Sequence, residues 1–210
     1  MTRPRLLDLF CGAGGAAMGY HRAGFEVVGV DLNPQPDYPF EFHQADALNL
    51  DPEWVNGFDA VHASPPCQAH SRAWKINKHD HPMLIAPVRE ILDATNLPYV
   101  IENVEGARGE LISPALLCGP MFGIHSYRHR LFEVRGFTLN VPEHSPHMVK
   151  TTKMGRAPVD GEYMHIVGNF SGVSRAREIM GMPWASRDGL REAIPPAYTE
   201  WIGNQLMEAV

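Results

Sequence analysis

The chain has 210 residues, 44% hydrophobic and 20% charged, with a formal net charge of −6. At roughly 150 residues per domain, this length predicts one domain with at most a small appendage, and the composition excludes disorder of the whole chain. No apolar run reaches the about 18 residues a membrane span needs, and the N-terminus lacks a signal-peptide profile, so the expectation is a cytoplasmic protein.

In chain order, Leu6–Phe10 reads as a short strand entering a Gly-rich turn, Gly12-Ala13-Gly14-Gly15. Ala16–Ala23 reads as a helix stopped by Gly24. Glu26–Val30 is a β-branched strand ending at Asp31, and Phe42–Ala45 a short one ending at Asp46. Phe58–Ala63 is a fourth strand running into Ser64-Pro65-Pro66-Cys67; the helix Met83–Thr95 and the strand Tyr99–Asn103 follow. Periodicity then weakens. Strands are expected at Tyr127–Val134 and near Phe137–Val141, loop from Pro142 to Ser174, and helices at Arg175–Met180 and Pro196–Val210. The order β-α-β-β-α-β predicts an α/β fold, a mostly parallel sheet flanked by helices. The expected division is 1–136 as the main body, 137–173 as an excursion too small for its own core, and 174–210 returning to the body.

Three cysteines, Cys11, Cys67 and Cys118, lie far apart with no CxxC, which is no disulfide framework. Residues 126–177 hold eight Lys/Arg and four Asp/Glu on an otherwise acidic chain. Such a segment fits a phosphate-facing patch or a solvated loop equally well.

Several short motifs carry chemistry. A strand feeding a Gly turn at a helix start lets a ligand approach backbone N–H groups, and the spacing Gly12-Ala-Gly14-Gly15 is not that of a dinucleotide pyrophosphate site. Asp31, ending the next strand, can take both hydroxyls of a ribose. Ribose without pyrophosphate suggests an adenosyl cofactor such as S-adenosylmethionine; the alternative is a tight turn with ordinary capping acids. In Ser64-Pro-Pro-Cys67 a diproline places one thiol at the carboxyl edge of the sheet, as a nucleophile or as a buried structural cysteine. Glu102 ends an apolar strand and suits a general acid, or a cap or ion-pair partner. Arg128 and Arg130 alternate on an expected strand and so share a face, suiting a base carbonyl and a phosphate, or solvent. Cys118 with His144 and His147 lacks a dense Cys/His spacing, and no metal site is expected.

Together, in this order and spacing, these motifs resemble the cytosine-C5 DNA methyltransferase family. Asp8–Gly15 matches its DLFxGxGG motif, Pro65-Pro-Cys-Gln68 its PPCQ motif with Ser71 at the family's serine, and Glu102-Asn-Val104 its ENV motif. Ser126–Arg130 is similar to QxRxR, with Ser in place of the usual Gln; Arg175–Pro183 and Gly203-Asn204 resemble the last two motifs. Ala63-Ser64 stands where the family usually has Gly-Gly.

The resemblance implies a Rossmann-like methyltransferase fold with a very small target-recognition appendage, at 137–173. It implies a donor, S-adenosyl-L-methionine, yielding S-adenosyl-L-homocysteine, with no metal. Cys67 would attack C6 of a cytosine flipped from duplex DNA, Glu102 would act on N3, Arg130 would bind O2 and Arg128 would support it. Phe10 and Leu32 would flank the adenine, with Asp31 at the ribose and Asp46 at the adenine amino group. Gly14, Gly15 and Asn204 would line the methionine end. Asp8, Cys11, Gly12, Ala13, Ala47, Ser64 and Pro66 complete the implied cofactor site. Gln68, Ser71, Arg72 and Lys75 would meet DNA, as would Lys150, Lys153 and Arg156. The implied setting is a bacterial or phage-infected cell and the implied state a monomer or weak homodimer. Rival readings are a tRNA-modifying branch of the same family, a relative that binds without reacting, and an amino-methyltransferase, which would want an aromatic residue at Cys67.

Overall fold

The computed structural model describes residues 2–66 and 83–210. Seven strands form one sheet: β1 Arg5–Leu9, β2 Glu26–Asp31, β3 Glu41–Gln44, β4 Ala60–Ala63, β5 Tyr99–Asn103, β6 Ala115–Leu117 and β7 Arg130–Arg135. Their order is β3-β2-β1-β4-β5-β7-β6. The first five are parallel, and β7 runs antiparallel to both β5 and β6. Among the described residues the α-helices are α1 Gly15–Ala23, α2 Pro52–Val55, α3 Ile85–Asp93, α4 Val173–Met180, α5 Arg187–Glu192 and α6 Pro196–Leu206.

The central strands are buried on both faces, so they read as continuous apolar runs rather than alternating ones. Alternation still decides which side each residue packs on. Leu6, Val27 and Val100 join Tyr20, Phe25, Tyr198 and Ile202 on one face. Leu7, Val28, Val61 and Ile101 join Ile85, Val88 and Leu92 of α3 on the other. Each such fully buried side chain contributes about 1.5–3 kcal/mol.

Helix α6 lies parallel to α1. A Cβ on Gly15 would meet the Ile194 carbonyl, one on Gly19 would meet Thr199 and the Pro196 carbonyl, and one on Gly203 would meet Ala23 and Tyr20. The Thr199 hydroxyl donates to the Ala16 carbonyl at 2.9 Å. Gly19 on α1 and Gly203 on α6 therefore let the two helices close on each other.

Three expectations need correction. Phe137–Val141 is not a strand: Gly136 turns the chain at φ 86, and the Asn140 backbone is held by Gln205 and Trp201 of α6 instead of a ladder. Tyr127–Arg128 precede β7 rather than lying in it. The excursion is less loose than expected, since Met164, Ile166 and Phe170 form a third apolar cluster with Ala176, Met180 and Leu190. Three elements were not anticipated, α2, β6 and α5, the last capped by the Ser186 hydroxyl accepting from Gly189 N. No helix among the described residues is long and apolar enough to cross a membrane.

Candidate active site

Sheet order reverses direction between β1 and β4, the switch point outside whose carboxyl ends open α/β sheets form a crevice. The Gly turn leaves β1 there and Ser64-Pro65-Pro66 leaves β4 beside it. In the turn Phe10 and Gly12 have positive φ, and Gly12 faces open space, with nothing within 4 Å of where a Cβ would stand. The Asp31 carboxylate ties this edge together: Oδ2 accepts from Gly12 N at 3.1 Å and Oδ1 from Asn33 N at 2.9 Å. Leu32 beside it is 66% exposed. Asp46, past β3, accepts from Leu48 N at 3.0 Å and Asn49 Nδ2 at 2.6 Å, and Ala47 is buried next to it. An open turn, a half-exposed carboxylate and an exposed apolar side chain suit the ribose and purine of an adenosyl group.

Other residues expected here are placed otherwise. Asp8 is fully buried below the turn; Tyr38 donates to its Oδ2 at 3.5 Å, its Oδ1 has no partner among the described residues, and burial pushes its carboxyl up to about 8. A side chain with no exposure does not touch a ligand from there. Burial likewise raises the Cys11 thiol far above its ordinary range. Gly14 lies under Tyr38 and Pro39, and Gly15 under Ile194, so both are glycine for packing. The Ala13 carbonyl accepts from Trp184 Nε1 at 2.8 Å. Asn204 is corrected outright. It follows Gly203, which packs on Ala23, so it sits about 12 Å along α1 from the Gly turn.

The second half of the site is built by strand register. Continuing β4–β5 one step past Ala63↔Ile101 sets Ser64 opposite Glu102. The antiparallel β5–β7 pairing brings Arg130 to the same edge, where its Nε lies 2.9 Å from Glu102 Oε1. Burial lifts the Glu102 carboxyl above the usual carboxylate range; Arg130, Arg128 and a Ser64 hydrogen bond pull the other way and lose. Behind Ser64 stands His62, fully buried, its Nε2 2.8 Å from Ser64 Oγ and its Nδ1 2.9 Å from Tyr20 Oη. Burial depresses this imidazole to about 3, so it is neutral. One polarity satisfies the chain: Tyr20 donates to Nδ1, Nε2–H donates to Ser64, and Ser64 donates to Glu102. The sequence signal for His62 was a lone polar residue in an apolar strand, two positions before Ser64 and so on the same face. Asn103 Nδ2 donates to the Pro65 carbonyl at 3.0 Å, fixing the diproline against β5.

Arg128 does not reach out beside Arg130. Its guanidinium donates to the carbonyls of Ala193, Ile166 and Arg191 at 2.7–2.8 Å, and Tyr198 donates to its own carbonyl. It ties the Ile166 and Arg191–Ala193 backbone to the stretch that enters β7. Cys67, Gln68, Ser71, Arg72 and Lys75 lie outside the described residues. Lys150, Lys153 and Arg156 share a shallow depression of about 550 Å³ with Glu162.

Comparison with known proteins adds sequence and fold relatives. The family model for C-5 cytosine-specific DNA methylases matches residues 4–111. The Type II methyltransferase M.AquIA of Picosynechococcus sp. is 32% identical over 121 residues, 49% of this chain and 49% of that protein. Type II methyltransferase M.HgiGI of Herpetosiphon aurantiacus is 31% identical over 123 residues, 50% of this chain and 93% of that protein. The match thus spans about half the length of M.AquIA. A DNA modification methyltransferase encoded within an E. coli prophage superposes with a TM-score of 0.70 at 14% identity, covering 98% of this chain and 99% of the other; at that identity it is the fold that is shared.

Proposed function

The chain belongs to the C-5 cytosine-specific DNA methylase family, and from that membership we propose that it transfers a methyl group from S-adenosyl-L-methionine to C5 of cytosine in DNA. The observation that carries this reading is the buried Glu102–Arg130 pair beside a diproline anchored by Asn103. A carboxyl whose acid form burial favours and a guanidinium next to it offer the donors that the N3 and O2 edge of a cytosine needs.

The target base leaves the duplex at a cost of a few kcal/mol, because stacking shields C5 and C6. The Cys67 thiolate, one residue past Pro66, forms a bond to C6, and the displaced electron pair is accommodated as Glu102 gives its proton toward N3. Arg130 holds O2 and fixes the ring. When bound, S-adenosyl-L-methionine supplies an electrophilic methyl on a sulfonium; Asp31 takes its ribose, Leu32 and Phe10 flank its adenine, and Asp46 meets the adenine amino group. After transfer a base removes the C5 proton, the C6–sulfur bond breaks, and Cys67 leaves as thiolate. Lys150, Lys153 and Arg156 meet phosphates, which position DNA without reading it.

The test is a duplex containing 5-fluorocytosine, incubated with protein and S-adenosyl-L-methionine. A denaturation-resistant adduct with the native chain, absent in Cys67→Ala, is expected, with bisulfite sequencing locating the product. Methyl uptake by tRNA in place of DNA would move the activity to the RNA branch, and substantial methylation by Cys67→Ala would overturn the nucleophile.

A further inference from the structure

We propose that Cys118, His129, His144 and His147 form a structural zinc site that clips the 137–173 segment to the edge of the sheet. The β6–β7 register pairs Leu117 with Arg130, so the next step sets Cys118 opposite His129 just beyond the ladder. His144 and His147 come back to them from a stretch with no regular structure. One ligand atom from each of the four lies within 4.8 Å of every other. Cys118 Sγ is 3.3 Å from His147 Nε2, and His129 Nε2 is 3.1 Å from His144 Nε2. A tetrahedral zinc with bonds of about 2.0–2.3 Å has ligand edges of roughly 3.3–3.7 Å; the Cys118–His147 spacing meets that range, the His129–His144 spacing falls just below it, and the other pairs, all within 4.8 Å, would close to it on binding. One thiolate with three imidazoles is a borderline-soft set that suits zinc over calcium or magnesium.

The surroundings orient the ligands. His129 Nδ1 lies 2.7 Å from Glu105 Oε2, which leaves Nε2 for a metal and makes the carboxylate–imidazole–metal chain that metal sites use. Tyr127 stacks on His147 with ring centroids 3.7 Å apart, and its hydroxyl accepts from Val149 N. The three imidazole centroids lie 4.9–5.2 Å apart, and among the described residues Glu105 is the acid paired with them. Metal binding breaks the Cys118 S–H bond, releases its proton to water and forms a metal–sulfur bond with no change of oxidation state. The clip would fix residues 144–147 to the edge that also carries Arg130.

The test uses the full chain, expressed without a polyhistidine tag in zinc-supplemented medium. Mass-spectrometric metal analysis after desalting is expected to give close to one zinc per chain, falling at least fivefold in Cys118→Ser and His144→Ala but not in the control His43→Ala. Glu105→Gln should keep the metal but weaken it about 10–100-fold in chelator competition. Cobalt added to native protein stripped of metal should give a thiolate-to-cobalt absorption that Cys118→Ser lacks, a readout that survives even if a variant expresses poorly. A folded native chain that carries no zinc and takes up no cobalt overturns the site. So does full metal content in both ligand variants. Neither result depends on methyl transfer.

Discussion

Arg130 Nε stands 2.9 Å from Glu102 Oε1, with side chains only 13% and 8% exposed, and burial still leaves that carboxyl above its ordinary range. The acid form of Glu102 therefore persists to higher pH than in an exposed glutamate. Activity that uses this form is present below the raised value and falls as pH rises through it. Glu102→Gln should lower kcat on the order of 10²-fold and abolish that limb of the pH profile. Arg130→Gln removes the largest influence lowering the carboxyl, so the limb should move to higher pH. A limb that persists unmoved in Glu102→Gln belongs to another group.

Asp31 both braces Gly12 and offers its carboxylate to the open turn. Asp31→Ala should weaken S-adenosyl-L-methionine by about 1.5–3 kcal/mol in calorimetry, the scale of hydrogen bonds to a charged group. Thermal stability should fall less, because the residue is half-exposed at a strand end. Unchanged affinity would remove Asp31 from the ribose.

Asp8 gives the clearest stability prediction. Its folded carboxyl titrates at about 8 against 3.8 for the ordinary group. Between those values the native state binds more protons than the unfolded one, so this group's contribution to stability declines as pH rises from about 4 to about 8. Asp8→Asn, neutral and similar in shape, should be level with the native chain near pH 4 and more stable by a few kcal/mol at pH 8. Urea titrations at both pH values decide it; a variant less stable at pH 8 contradicts the account.

Neutralising Lys150, Lys153 and Arg156 together should weaken binding to every DNA sequence alike and flatten the slope of log affinity against log salt by roughly 2–3. A selective loss for one sequence would make these residues readers of bases. Because the 137–173 segment offers few such readers, the methylated site should be short or degenerate, about two to four base pairs, in genome-wide mapping.

Legibility followed range of interaction. The runs Glu26–Asp31 and Tyr99–Asn103 announced themselves by β-branched and apolar residues, and the turn Gly12–Gly15 by its glycines. Ala115–Leu117 was too short to show a period, and Arg187–Glu192 carries Gly189 in mid-helix, where it packs on Ala13. Glu102 was visible as an acid ending an apolar strand, but its tie to Ser64 and His62 depends on the β4–β5 register. Arg128 looked like a twin of Arg130 until three carbonyls from the last quarter of the chain claimed it. Asn204 failed for a similar reason, since no local pattern says whether α6 runs along α1 or against it. Cys118 and His129 are neighbours only across a ladder, so their meeting with His144 and His147 has no spacing signature.

The side-by-side packing of α1 and α6 also sets an order of events during synthesis. Residues 15–24 meet residues 194–207, so the groove that Gly19 opens stays uncovered until residues 194–207 have left the ribosome. Contacts this distant in sequence are slow to form, and exposed apolar surface in the meantime invites aggregation. A nascent chain stalled so that residue 206 is still inside the exit tunnel should be cut readily by protease around α1, and one stalled after residue 207 has cleared the tunnel should resist.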